Sequence, residues 1–181
     1  MSETEKQFRE VTAECRAMFE KKLNDYGAAW RLMRPESLTD QIYIKANRAR
    51  NLQLTGEAQV DEDARSCFEG IVNYGLIALI QLDRGYADTV DMSAGEAIAA
   101  YDRHLDETLR LMLAKNHDYG EAWRRMRVSS YTDLILMKIN RTKQIEDHGG
   151  KTEVSEGVAA NYMDMINYSV FALIKLRDGE Q

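Results

Sequence analysis

The stretch 23–48, LNDYGAAWRLMRPESLTDQIYIKANR, returns at residues 116–141 as NHDYGEAWRRMRVSSYTDLILMKINR. From residue 22 to residue 48, sixteen of twenty-seven positions are identical to those 93 residues later. A shift of 94 aligns 62–85 with 156–179, with eight identities in twenty-four. Self-similarity at a fixed spacing predicts a tandem duplication. With only two copies, it indicates a duplicated half-domain rather than a solenoid.

Each copy has the pattern of helices. Ser37 and Ser130 are each followed three residues later by an aspartate, which is capping-box spacing and predicts helices that start near residues 38 and 131. Longer apolar helices are expected at roughly 61–83 and 154–177. We therefore predict an all-α fold, a helical bundle of two tandem, pseudo-two-fold-related repeats with about three long helices each. The period of an amphipathic helix is clearest at Phe8, Val11, Cys15, Met18, Phe19 and Leu23.

The chain of 181 residues has the length of one ordinary domain or two small ones. We expect repeat 1 at residues 1–85, repeat 2 at residues 94–179 and a polar linker at 84–93. Because the last helix of each repeat is apolar on nearly every face, we expect the repeats to form one compact domain.

Charge and composition disfavour several classes of protein. The net charge of −6 disfavours a surface built to bind nucleic acid, so nucleic acid is not an expected partner. The most apolar stretch, 71–82, is too short to span a bilayer, and two cysteines imply no disulfide framework. We expect a cytoplasmic protein with no membrane association. A minor alternative, nucleic-acid binding through a local basic patch, would use Arg31, Arg34, Arg124, Arg125 and Arg127.

Acidic and amide side chains share one face of the last helix of each repeat. Glu62, Glu69 and Asn73 are spaced i, i+7 and i+11. Mg²⁺ takes oxygen ligands, often one or two carboxylates plus substrate phosphates, so the acids are candidate magnesium ligands. The alternative is that the acids are solvated and the asparagines are satisfied buried groups. The second repeat has the corresponding set at Glu156, Asp164 and Asn167.

Paired cations lie on the preceding helix of each repeat. Lys45 and Arg48, repeated as Lys138 and Arg141, are three residues apart on largely apolar helices. Such pairs either bind phosphate oxygens or form salt bridges to the acidic face of the neighbouring helix. Both interpretations place the cations near the acids.

The motif at 25–34 and 118–127 combines an aspartate, a Tyr-Gly bend, a tryptophan and arginines. We expect Trp30 and Trp123 in the core, and we keep Asp25 and Asp118 as candidates for substrate binding. Asp40 and Asp133 are assigned to the capping boxes instead.

The pattern DYGxAWRxMRxxSxTDxIxxKxNR, followed by E…NYxxxALIxL, resembles the nucleotide-modification-associated domain 1 family in both repeats. That resemblance implies a nucleotide or DNA-base modification context without assigning a reaction. A weaker resemblance to the all-α nucleoside triphosphate pyrophosphatases (MazG and dimeric dUTPases) implies Mg²⁺ between helices. Their earlier ExxE pair is replaced here by Lys45-x-x-Arg48 and Lys138-x-x-Arg141.

Two hypotheses follow. The first is a protein that binds a nucleotide or nucleotide-like small molecule, extended to a Mg²⁺-dependent (deoxy)nucleoside triphosphate pyrophosphohydrolase. The second is a non-catalytic interaction or sensor module that partners a nucleotide-modification enzyme. A homodimer through exposed parts of the last helices is compatible with either. The first hypothesis would use four acids for metal (Glu62, Glu69, Glu156, Asp164) and eight residues for substrate (Lys45, Arg48, Asn73, Lys138, Arg141, Asn167, Asp25, Asp118).

Overall fold

The protein is all-helical in a computed structural model that describes residues 1–57 and 63–179. Over these ranges it has six α-helices, two short 3-10 helices and no strand. The predicted all-α class, with three long helices in each of two repeats, is confirmed. The helices are α1 (Glu3–Tyr26), α2 (Pro35–Thr55), α3 (Ala64–Arg84), α4 (Ala94–Tyr119), α5 (Val128–Asp147) and α6 (Val158–Arg177), with 3-10 helices at Ala29–Leu32 and Ala122–Arg125.

Local signals explain where several helices begin and end. Ser2, Asp63 and Ser93 each accept a hydrogen bond from the backbone N–H three residues later, which satisfies a donor that the first helical turn leaves open. Gly27 ends α1 at a φ of 69°, a conformation that glycine adopts without steric cost. The chain therefore reverses direction there and enters the first 3-10 helix.

Helices α2 and α5 begin three residues earlier than predicted. Pro35 is the first residue of α2, where its missing N–H donor costs nothing. Val128 begins α5 at the equivalent position. The predicted starts near 38 and 131 were therefore wrong, because the capping-box spacing falls inside the helix.

Asp40 and Asp133 consequently do not cap helices. The Asp40 carboxylate is 3.0 Å from Lys143 Nζ, and the Asp133 carboxylate is 2.6 Å from an Arg50 guanidinium nitrogen. These two ion pairs are equivalent under the 93-residue shift. They join α2 and α5 reciprocally, as a pseudo-two-fold axis requires.

The start of α6 also corrects the predicted acidic face. This helix begins at Val158 with Gly157 as its N-cap, so Glu156 lies in the preceding loop and is exposed. The helix therefore starts later than residue 154, and residues 151–156 form an exposed loop instead of its first turn. Glu62 and the predicted start of the first-repeat helix at 61 lie outside the described residues.

Helices α3 and α6 pack against each other at the centre of the bundle, with α2 on α3 and α5 on α6. A Cβ atom on Gly75 would lie 2.6 Å from Ile166 Cγ1, so the glycine permits the close approach of the two central helices. Helices α1 and α4 each contact both central helices. The two repeats thus share one continuous hydrophobic core.

The linker between α3 and α4 is anchored by a buried arginine. Arg31 Nε donates to Asp91 Oδ1 at 2.8 Å, and another guanidinium nitrogen donates to the Gly85 carbonyl at 2.6 Å. The hydrogen bond from Arg31 holds the pKa of Asp91 below its usual value. The same guanidinium also hydrogen-bonds the Gln81 side chain. Arg31 is therefore used inside the fold and is not part of an exposed basic patch.

Along the described chain, no helix combines the length and apolarity that crossing a membrane requires. The most apolar helix, α6, buries thirteen of its residues within the protein.

A candidate ligand cavity in repeat 1

A cavity of about 470 Å³ opens between α1, the first 3-10 helix, α2 and α3. Pockets for small molecules commonly have volumes of roughly 300–1,000 Å³, so this one is large enough for a ligand. Its lining combines aromatic rings, lysines and a carboxylate: Met18, Phe19, Lys22, Leu23, Tyr26, Gly27, Ala29, Trp30, Met33, Lys45, Ser66, Glu69, Gly70, Asn73, Tyr74 and Ile77.

The lining side chains of α1 and α3 come in pairs one helical turn apart, so both members of a pair lie on the same face of their helix. Lys22 and Tyr26 lie one turn apart on α1, and Glu69 and Asn73 lie one turn apart on α3. After the bend at residue 27, the 3-10 helix contributes Ala29 and Trp30 to the lining. The sequence therefore brings cationic and aromatic groups together from separate elements.

The charged residues of the lining are Lys22, Lys45 and Glu69. Lys45 crosses the face of Gly70, where an added Cβ would lie 3.3 Å from Lys45 Cε. Lys22 is exposed and has no ion pair within residues 1–57 and 63–179. The Glu69 carboxylate is 3.0 Å from Arg65 Nε on its own helix, and Arg65 also contacts Glu14. Glu69 is thus directed along the cavity wall toward Arg65.

Asn73 is a structural bridge at the edge of this cavity. Its Nδ2 donates to the Cys15 carbonyl at 3.0 Å, and its Oδ1 accepts from the Tyr101 hydroxyl at 2.7 Å. Both ends of the amide are therefore engaged, and the side chain joins α3 to α1 and α4.

Asn167, its counterpart, is less completely satisfied. Asn167 Nδ2 donates to the Thr108 carbonyl at 3.3 Å, whereas its buried Oδ1 has no hydrogen-bond partner among the described residues. Phe8 occupies the position that corresponds to Tyr101 under the 93-residue shift. The missing hydroxyl explains the difference between the two asparagines.

The corresponding polar site in repeat 2 is filled by an ion triad. Asp164 accepts from Lys115 Nζ at 2.7 Å through Oδ1 and lies 2.9 Å from Lys138 Nζ through Oδ2. The Asp164 and Lys138 side chains are only 5% and 10% exposed. Burial lowers the pKa of Lys115, but the hydrogen bond and charge of Asp164 outweigh it and raise that pKa above its ordinary value.

The corresponding apolar site is filled by a ring. Phe171 stacks on Trp123, with ring centroids 4.5 Å apart and an interplanar angle of 11°. Repeat 1 has Ile77 at the position equivalent to Phe171 and Gly70 at the position equivalent to Asp164. Repeat 2 therefore has two larger side chains at positions where repeat 1 has a glycine and an isoleucine.

Arg141 and Glu156 line a different cavity, between α5 and the loop before α6, of about 620 Å³. This second cavity is more open to solvent, and most of the residues that line it are polar. Lys138 is at its inner edge, where its ammonium group already pairs with Asp164.

Three further candidates lie elsewhere. Arg48 is half-buried one turn after Lys45 on α2 and does not line the described cavities. Asp25 and Asp118 are exposed at the ends of α1 and α4, and Asp118 is 3.2 Å from His117. The described candidate residues thus divide among the two cavities, buried positions on α6, the half-buried Arg48 and the surface.

The acids predicted as metal ligands do not converge in the described part of the chain. No group of three or more His, Cys, Asp or Glu side chains suited to a metal ion is found there. Asp164 is paired with two lysines, Glu69 is paired with Arg65, and Glu156 lies at the other cavity. Magnesium binding stays a prediction, and the described side chains do not form a site that fits it.

Sequence reasoning missed the lysines of α1 and α4. Lys22 and Lys115 are identical under the 93-residue shift, so the repeat contained a usable signal. The replacement of Asp164 by Gly70 was also visible in the alignment. The significance of this replacement depends on Lys115, because only the fold shows that Lys115 on α4 contacts Asp164.

A second polar cluster, between the repeats, was also missed. Glu146 is half-buried and accepts from Thr39 Oγ1 at 3.4 Å. Burial raises the pKa of Glu146 to about 7, the Thr39 hydrogen bond opposes this rise, and nearby carboxylates including Glu36 add to it. The equivalent contact in the other half is neutral, because Gln53 donates to Thr132 at 2.9 Å.

Comparison with known families gives a match in both repeats. Residues 22–82 and residues 115–176 each match the nucleotide modification associated domain 1. These segments cover more than half of the chain and contain the lysines, tryptophans and asparagines described above. Searches of curated proteins and of solved structures found no match.

Proposed function

Because the chain belongs to the nucleotide modification associated domain 1 family, we propose that it binds a nucleotide in the cavity of repeat 1. The observation that carries this proposal is the meeting of aromatic rings and lysine ammonium groups on one concave surface. Aromatic rings stack on bases of any identity, and lysines bind phosphate as point charges. The cavity offers both in a single chamber.

The aromatic rings and the lysines have different roles in this proposal. Trp30, Tyr26 and Tyr74 would contact the base, and Lys22 and Lys45 would contact phosphate oxygens. Apolar walls with a few placed polar groups are typical of sites that bind small molecules.

The proposal is for binding and not for the pyrophosphohydrolase activity of the first hypothesis. Metal-assisted attack on phosphorus needs carboxylates that hold a metal ion beside the phosphates. Among the described residues, Glu69 is the only acid in the cavity lining, and it is paired with Arg65. These contacts support binding rather than hydrolysis, which agrees with the hypothesis of a non-catalytic module.

The test measures the binding of a panel of nucleosides and nucleotides, with and without Mg²⁺, by thermal shift and by calorimetry. We expect binding without Mg²⁺. Lys22→Ala should weaken nucleotide binding about tenfold, since a hydrogen bond to a charged group contributes roughly 1.5–3 kcal/mol. Lys21→Ala is the matched control, because Lys21 is exposed on the same turn and is absent from the lining.

Failure of every common nucleotide to bind would refute the proposal, as would equal losses in the two lysine variants. Pyrophosphate release that requires Mg²⁺ and is abolished by Glu69→Gln would replace it with the pyrophosphohydrolase hypothesis.

A further inference from the structure

We propose that the second cavity, between α5 and the loop before α6, binds a sugar phosphate, a ligand with one phosphoryl group and several hydroxyl groups. This site lies in repeat 2, apart from the nucleotide cavity of repeat 1, so it goes beyond the proposed function and is tested independently of it. Its volume of about 620 Å³ lies within the roughly 300–1,000 Å³ that is common for small-molecule pockets.

Two cations of the lining are available to a ligand. Arg141 is exposed on α5 and Lys151 is exposed on the loop, and the side chain of neither forms an ion pair or a hydrogen bond within the part of the chain that the structure describes. Lys138, at the inner edge, is already paired with Asp164 and is not counted. A guanidinium group can donate two parallel hydrogen bonds to a phosphate, and a lysine adds a point charge. The cavity therefore offers two cationic groups to one phosphoryl group.

The amino-terminal end of α6 borders the same cavity. Glu156 and Asn161, on either side of the N-cap Gly157, both line it. Gly157 supplies no side-chain acceptor for the open N–H groups of the first turn, and that turn contains no acidic residue. Its equivalent under the 94-residue shift is Asp63, whose carboxylate accepts from the Ser66 N–H at 2.9 Å. Repeat 1 thus holds an anion at the start of its last helix, and the phosphoryl group of a ligand would be favoured at the equivalent place in repeat 2.

The other polar groups of the lining suit hydroxyl groups. Asn161 is only 3% exposed, and its Nδ2 donates to the Gly157 carbonyl at 2.9 Å. Its Oδ1 accepts no hydrogen bond from the described residues. A polar atom on so buried a side chain is expected to have a partner, which a ligand hydroxyl can supply. Further amide and hydroxyl side chains line the cavity at Asn140, Gln144, Thr152 and Ser155.

The same lining disfavours a nucleoside triphosphate. Among the described residues it contains no tryptophan, tyrosine or phenylalanine, so a base would lack the stacking surface that the repeat 1 cavity provides. Glu153 and Glu156 can accept hydrogen bonds from hydroxyl groups, whereas their charges would repel a chain of phosphates. One phosphoryl group on a polyhydroxylated ligand satisfies both the cations and the carboxylates.

The test measures binding of ribose 5-phosphate, ribose, inorganic phosphate and inorganic triphosphate to the full chain by calorimetry. We expect ribose 5-phosphate to bind about tenfold more tightly than ribose and more tightly than either inorganic anion. Arg141→Gln should weaken the binding of ribose 5-phosphate about tenfold, because the bonds to the guanidinium are lost. Arg127→Gln is the matched control, since Arg127 is exposed at the N-cap of α5 and is absent from the lining.

A second pair of variants tests the start of α6. Gly157 has an extended backbone, and no heavy atom lies within 4 Å of an added Cβ, so Gly157→Asp and Gly157→Asn should both fold and cap the helix. Only the first adds a negative charge, and it should weaken the binding of ribose 5-phosphate about threefold more than the second. Equal affinities in the two variants would overturn the placement of the phosphoryl group beside α6.

The remaining outcomes separate the two cavities. Lys22→Ala, which acts on the repeat 1 cavity, should leave the binding of ribose 5-phosphate unchanged, and inorganic phosphate should compete with this ligand in wild type. Three results would overturn the inference: no binding of ribose 5-phosphate, equal losses in the two arginine variants, or tighter binding of inorganic triphosphate. A loss in Lys22→Ala without one in Arg141→Gln would also overturn it, because the ligand would then lie in repeat 1. Failure of nucleotides alone to bind would refute the proposed function and leave this inference intact.

Discussion

The two repeats carry the same lysines and tryptophan, and they use them differently. In repeat 2 the lysines neutralise Asp164 and the tryptophan stacks on Phe171, so the groups stabilise the fold. In repeat 1 the equivalent groups surround an open cavity. The comparison shows the same motif inside a packed site in one repeat and around a cavity in the other, with different residues at two positions of the last helix. Variants that act on one repeat and not on the other test that conclusion.

The largest effect is expected at the ion triad of repeat 2. Asp164→Ala leaves the buried ammonium of Lys138 without its partner, which costs about 3–5 kcal/mol in the free energy of unfolding. Urea denaturation at pH 7 measures the loss. Glu69→Ala is the matched variant in repeat 1 and should cost less than about 1 kcal/mol, because its pair with Arg65 is partly exposed. Equal losses would contradict the assignment of different roles to the repeats.

An intermediate effect is expected where the asparagines differ. Tyr101→Phe removes the donor to Asn73 Oδ1 and should destabilise the protein by about 1–2 kcal/mol. Phe8→Tyr introduces the corresponding hydroxyl near Asn167 Oδ1, which has no partner in the described structure. It should cost less than Tyr101→Phe, and the double variant should show whether the two sites are equivalent. A larger loss from Phe8→Tyr would show that the α1–α6 contact has no space for the hydroxyl.

The smallest effect is expected at Glu146 and depends on pH. Its pKa of about 7 in the folded protein lies above the ordinary value of 4.5, so ionisation opposes folding. Wild type should lose stability as pH rises from 4.5 through 7. Glu146→Gln, which reproduces the Gln53 contact of the other half, should therefore be more stable by about 1 kcal/mol at pH 8 after allowance for partial exposure.

The advantage of Glu146→Gln should vanish well below pH 4.5, where the Glu146 carboxyl is protonated in both the folded and the unfolded states. Thermal unfolding of the variant and of wild type across this pH range measures the difference, and the wild-type curve is the reference. A pH-independent difference would show that Glu146 does not titrate in this window.

The fold was largely predictable from the sequence because it depends on periodicity and repetition. The 93-residue shift located both repeats, and the apolar faces of α3 and α6 predicted central helices. The helix starts at Pro35 and Val128 were missed because the S-x-x-D spacing was taken as a helix start, whereas here it lies within the first turns of both helices.

The candidate site was only partly predictable. Lys45 and Glu69 were singled out and do line the cavity, whereas Glu156 was placed on a helix that begins after it. The pairing of Asp164 with Lys115 joins residues 49 positions apart. Side-chain contacts of that kind depend on how helices cross, which a pattern along one helix does not contain.

The anchored linker between α3 and α4 joins the two repeats in one chain, which allows their corresponding sites to differ. In a symmetric dimer of identical chains, a residue that fills the cavity of one protomer also fills the cavity of the other, because both protomers have the same sequence. Joining the copies end to end removes that constraint. One repeat can then fill its site with its own side chains while the other keeps a cavity, and the Arg31 contacts to Gly85 and Asp91 hold the linker between the two repeats in place.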